Sequence, residues 1–76
     1  MHARASAKLV QLMSGFHAEA FLLRNGREVN AKSIMGVLLL AAGVGSTVTL
    51  RTNGEDEAAA LDAGVALFAR NFDESG

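Results

Sequence analysis

Apolar residues recur along this chain at two different spacings, and the change from one to the other marks out its elements. Over residues 3–14 (ARASAKLVQLMS), Leu9, Leu12 and Met13, followed by Phe16, fall at helical spacing, with Lys8 and Gln11 on the other side. This predicts a helix that Gly15 ends. Residues 19–24 (EAFLLR) and 27–31 (REVNA) read as two strands joined by Asn25-Gly26, the strongest short hairpin signal. Residues 34–42 (IMGVLLLAA) form a continuous apolar run, which on its own fits a buried strand or a buried helix. Ser33 just before it is a good N-cap, and Gly43 and Gly45 just after it are good stops, so a short helix is expected. The Gly43–Ser46 stretch lacks the rest of a nucleotide-binding loop and reads as a turn. Residues 47–52 (TVTLRT) alternate, with Val48 and Leu50 on one face and Thr47, Thr49 and Arg51 on the other, and predict a strand. Residues 56–71 predict the last helix. Glu55, Asp56 and Glu57 suit its positive N-terminal end, Leu61, Val65, Phe68 and Phe72 form one apolar stripe, and Arg70 falls in the last turn.

The order helix, strand, strand, helix, strand, helix implies an α+β fold with helices on one face of a small antiparallel sheet. Three strands are close to the minimum for an independently stable sheet, and a strand before residue 1 would complete it.

Composition narrows the function. Seventy-six residues are expected to form a single domain, 1–76, with a thin core. With four Phe and no Trp or Tyr, Ala, Leu and Val must do most of the packing. The absence of cysteine excludes a disulfide scaffold, a thiolate metal site and a cysteine nucleophile, and fits a cytoplasmic location. A formal net charge of -1 provides no basic field for nucleic acid. The longest apolar run, residues 34–44, is far short of the roughly 20 residues of a membrane span, and no signal peptide is read. Neither a metal-ligand cluster nor a cofactor motif stands out, and no carboxylate pair or Ser/His/Asp set does.

Four features could carry chemistry. His2-Ala3-Arg4 lies where the first helix starts. A helix N-terminus offers unpaired N–H groups and a partial positive charge, so a histidine there could hold a phosphoryl group, with Arg4 adding a fork of donors. Imidazole titrates near pH ~6.5, so its neutral, nucleophilic form is plentiful at neutral pH. The same residues also fit a frayed chain end. Ser33 reads as a helix cap, or as a cap that a kinase also modifies. Ile34, Met35, Leu38 and Leu39 cannot all face a thin core, so they are either core residues or a docking patch in which Met adapts to several partners. His17, alone near a helix end, reads as a surface or capping residue.

Together these pieces resemble HPr, the histidine phosphocarrier of the phosphoenolpyruvate-dependent phosphotransferase system, over essentially the whole chain. The family's run of His, small residue, Arg and Pro is similar to His2-Ala3-Arg4-Ala5, and its regulatory run to Val29-Asn30-Ala31-Lys32-Ser33-Ile34-Met35-Gly36. Its last loop and helix resemble Gly54-Glu55-Asp56-Glu57 leading into the stripe of Leu61, Val65 and Phe68. Residues 66–74 (ALFARNFDE) look closest to the proteobacterial and nitrogen-related branch.

The resemblance implies an HPr-like open-faced sandwich whose first edge strand is missing. It implies a phosphocarrier rather than an enzyme. Enzyme I phosphorylates His2 on Nδ1, Arg4 and the first helix amides stabilise the group, and an EIIA-type acceptor takes it. Ser33 is the implied site of an HPr kinase/phosphorylase, and Ile34, Met35 and Leu38 the implied partner surface. The alternative is a regulatory HPr-like binder that acts through Ser33 without histidine phosphotransfer. Two departures from the family bear on this. Without the first strand, and the Gly before the histidine, residues 47–52 would be an unpaired edge that invites dimerisation. An upstream start, or a strand from a partner, would cover it. Ala5 stands where the family has Pro, which is pre-organised for the first helical turn, so slower transfer is expected.

Overall fold

Asn25 and Gly26 reverse the chain through left-handed conformations, with φ of 50° and 79°. This turn sets the register of the strands on either side, Arg24 opposite Arg27 and Leu22 opposite Val29. The computed structural model describes residues 3–41 and 48–73. Its elements are α1 (Ala3–Ser14), β1 (Glu19–Arg24), β2 (Arg27–Asn30), α2 (Ile34–Ala41), β3 (Thr49–Asn53) and α3 (Glu57–Ala69), closed by a 3-10 turn at Asn71–Asp73. The sheet is antiparallel throughout, in the order β2-β1-β3.

The sheet has one covered face. Ala20 and Leu22 of β1 are buried beneath the helices, whereas Phe21 and Leu23 point the other way and are only partly covered. Helix α1 packs against both α2 and α3, α2 lies on β2, and α3 lies on β3. Leu9 and Met13 of α1 meet Leu22, Val37, Leu40 and Leu67 in the core. This is the expected α+β open-faced sandwich. No helix among the described residues is long and apolar enough to cross a membrane.

The expected elements are all present among the described residues, with shifted ends. The apolar run after Ser33 is helical. The third strand starts at Thr49 and runs to Asn53, with Thr49 and Arg51 on the exposed face and Leu50 on the covered one. The expected turn at residues 43–46 lies outside the described residues.

Two readings of the last helix need correction. It does not run to residue 71: after Ala69 the chain turns left-handed through Asn71, Phe72 and Asp73, with φ of 53°, 57° and 60°. That turn tucks Phe72 against Phe68 in an edge-to-face contact, ring centroids 4.8 Å apart. Nor is the stripe of Leu61, Val65, Phe68 and Phe72 buried throughout: Phe72 is buried and Phe68 packs against the core, but the first two members are not. Ala60, Gly64 and Leu67 face inward, while Leu61 and Val65 stay 38% and 57% exposed. Helix α3 lies so close to the sheet that a Cβ at Gly64 would stand 2.3 Å from Leu50 Cδ2. No side chain fits at Gly64, where the helix meets β3, and Leu61 and Val65 are turned to the flank.

Candidate functional site

The loop between β2 and α2 is built by Asn30. Its side-chain Oδ1 accepts the Lys32 N–H at 2.8 Å, and its carbonyl accepts the Ser33 N–H at 3.0 Å. Ser33 is thereby set at the start of α2, where its Oγ accepts the Gly36 N–H at 3.2 Å and its carbonyl accepts the Val37 N–H at 2.9 Å. The expected cap is therefore formed.

Beyond Ser33, the apolar run splits between two faces. Val37 and Leu40 are buried, Leu38 is half-buried, and Ile34, Met35 and Leu39 are exposed, Met35 by 68% and Leu39 by 69%. Of the two readings of this run, the structure favours a surface for part of it. An exposed Met-containing patch begins one residue after Ser33 and continues along α2.

The N-terminal end of α1 is the other half of the site. His2 lies outside the described residues. Ala3 and Arg4 form the exposed start of α1, and Ala5 and Ser6 turn inward and are buried. No described residue engages the Arg4 guanidinium. The first-turn N–H groups of any helix have no partner within it, so this end sets an exposed guanidinium beside amides suited to an anion.

The far end of α1 is fastened from two sides. The Lys32 Nζ donates to the Phe16 carbonyl at 2.7 Å, linking the Ser33 loop to the turn after α1. From the loop before α3, the Asp56 carboxylate accepts the N–H groups of His17 and Ala18, at 2.9 and 2.6 Å. These bonds, that from His17 foremost, hold the Asp56 carboxyl below its ordinary value of 3.8 against the opposing effect of desolvation. His17 is exposed, as expected of a surface residue. Asp56 sits at the start of α3 but makes no side-chain cap there.

The sequence alone does not mark Lys32 or Asp56 as anchors of this corner. Their bonds reach 16 and 38 residues along the chain, so no local pattern announces them. Among the described residues, no group of His, Cys, Asp or Glu could hold a metal ion.

Comparison with known proteins decides the family. The family model described as "PTS HPr component phosphorylation site" matches residues 1–70. The chain belongs to the HPr family. It is 61% identical to the phosphocarrier protein HPr of Cupriavidus necator over 74 residues, covering 97% of this chain and 83% of that protein. It is also 44% identical to the phosphocarrier protein NPr of Shewanella violacea over 75 residues, covering 99% of this chain and 82% of that one. Among solved structures, an HPr from Thermoanaerobacter tengcongensis superposes with a TM-score of 0.91 at 39% identity, over 99% of this chain and 84% of its own. Membership in the HPr family makes the chain a phosphocarrier of the phosphotransferase system.

Proposed function

We propose that His2 is the residue that carries the phosphoryl group. The neutral imidazole attacks through the Nδ1 lone pair, forming an N–P bond as the bond between phosphorus and the donor's nitrogen breaks. The step then runs in the other sense toward the acceptor. The donor is enzyme I, charged from phosphoenolpyruvate, and the acceptor is an EIIA-type protein. The chain is a covalently modified intermediate and not itself an enzyme. Its described elements work as a single domain, in the cytoplasm.

The single observation that carries this reading is Arg4. It stands exposed in the first turn of α1, two residues after His2, with a guanidinium that no described residue engages. A fork of donors beside helix N-terminal amides suits the three oxygens of a phosphoryl group, whose negative charge the helix end also favours.

Docking falls to the exposed side of α2. Ile34, Met35 and Leu38 supply apolar contact, and Ser33 at their edge is the site at which an HPr kinase/phosphorylase regulates the exchange. A phosphate on Ser33 would keep an acceptor at the helix start but bring charge to the margin of the patch.

Intact mass of the chain after incubation with phosphoenolpyruvate and enzyme I tests the reading. One added phosphoryl group, lost in brief acid and absent from His2→Ala, is expected. No added mass, with the same enzyme I charging another HPr, would overturn it.

A further inference from the structure

Arg24 and Arg27 stand directly opposite each other across the turn that joins β1 and β2. Leu22 of β1 is buried under the helices, and side chains two residues apart on a strand share a face. Arg24 therefore lies on the helix side of the sheet, and Arg27 opposite it does too. Like charges placed this way repel, so each needs a reason to be there. Arg24 has one. Its Nη1 donates to the Leu40 carbonyl at 2.9 Å, near the C-terminal end of α2, where a cation offsets the partial negative charge of the helix. Arg27 has no counterpart of that bond. It is exposed, and no described residue engages its guanidinium.

Both arginines line an open groove of about 190 Å³, together with Asn25 of the turn and Leu39 and Leu40 of α2. None of these residues is acidic. Glu28, next to Arg27 in the chain, lies on the opposite face of the sheet, where it pairs with Arg51. No acid occurs in the sequence from Val29 to Gly54. One wall of the groove is apolar and open to water, since Leu39 is 69% exposed.

We propose that this groove docks an acidic segment of a partner protein, with a carboxylate between Arg24 and Arg27 and the neighbouring apolar side chain on Leu39. A carboxylate there turns a repulsive pair into a bridged one, and two guanidinium forks can hold both of its oxygens. Arg24 is already held by the Leu40 carbonyl, so less side-chain freedom is lost when the acid arrives. Leu39 decides for a peptide over a bare anion, because only a ligand with an apolar part takes that wall out of water. Two cations at one hairpin make no track for a nucleic-acid backbone, which carries a charge at each phosphate. The site goes beyond carriage of the phosphoryl group and requires neither His2 nor Arg4.

Amide shifts of the isotope-labelled chain, followed as a short blocked peptide carrying Glu-Leu is added, test this. Saturating shifts are expected at Asn25, Gly26, Arg27 and Leu39, with a dissociation constant on the order of 1 mM. Raising the ionic strength from about 0.01 M to about 0.15 M shortens the Debye length from about 30 Å to about 8 Å and is expected to weaken binding severalfold. Arg27→Ser changes an exposed side chain, so it leaves the fold intact. It is expected to raise the dissociation constant about fivefold or more, and to melt no lower than the parent chain because the repulsion with Arg24 is gone. Leu39→Ser is expected to weaken binding as well. The same peptide with Gln in place of Glu is expected not to bind. Absence of saturating shifts would overturn the proposal. So would a Gln peptide that binds as tightly, shifts that Arg27→Ser leaves unaltered, or inorganic phosphate that engages the same amides more tightly than the peptide does.

Discussion

The Ala18 N–H donates to the Asp56 carboxylate at 2.6 Å, closing the corner between α1 and β1 onto the loop before α3. With the His17 N–H on the other oxygen, that carboxyl is held below 3.8, so its folded value lies beneath its unfolded one. A group of that kind contributes stability that is fully present above the unfolded value and is lost as pH falls through the folded one. Asp56→Asn is therefore expected to lower the melting temperature at neutral pH, because the amide nitrogen turns a donor toward an N–H. The gap from the parent chain should close as pH drops below 3.8. Asp73, lowered chiefly by its hydrogen bond from Arg70, titrates in the same region, so the difference between the two chains is the quantity to follow. Thermal melts across an acid series measure it.

Gly54 backs the same corner from the other side. Its φ is +145°, and a Cβ there would stand 2.8 Å from Ala18 Cα. The obstruction is backbone, which cannot swing aside as a long side chain can. Gly54→Ala is expected to cost about 2 kcal/mol or more, combining backbone strain with overpacking. Denaturant unfolding would show a lower midpoint at unchanged slope.

Ser33 separates two effects that are easily confused. Ser33→Ala removes the acceptor for the Gly36 N–H and is expected to cost about 1 kcal/mol of stability. Ser33→Asp keeps an acceptor at the cap and is expected to melt close to the parent chain. Its charge borders Ile34 and Met35, so it should slow phosphotransfer from enzyme I where Ser33→Ala does not. Paired melts and transfer rates on the two variants check this.

Met35 offers the converse case. At 68% exposure it contributes little to the fold. Met35→Ser is expected to change stability by less than about 0.5 kcal/mol. If α2 is the docking face, the same change should raise the KM of enzyme I for this chain by about fivefold or more.

How much could be read from the sequence depended on how locally each feature is encoded. Asn25-Gly26 and Ser33 act within three residues of themselves, and both the hairpin and the cap stand where the sequence puts them. The inward face of α3 was not legible. Large apolar residues usually mark a buried stripe, yet the close approach of α3 to Leu50 admits Gly64 and turns Val65 outward. The left-handed turn at Asn71–Asp73 was hidden too, because Phe72 is held there by Phe68 and by the Lys8 ammonium on its carbonyl, contacts made across the fold. The exposed part of 34–39 could be named only as one of two outcomes, since a uniformly apolar run has no period to orient it. His2 and Arg4 were named from a motif, and of the two only Arg4 falls among the described residues.

The double grip on the Phe16–Ala18 corner has a consequence for how the chain is made. One hold, from Lys32, belongs to the first half of the sequence; the other, from Asp56, belongs to the last third. During synthesis from the N-terminus, α1 and the hairpin emerge well before Asp56 does. The helix that bears Arg4 can form early, but its far end is not fastened on both sides until the start of α3 has left the ribosome. A nascent chain that ends before residue 56 therefore carries the acceptor end of α1 without the corner that anchors it.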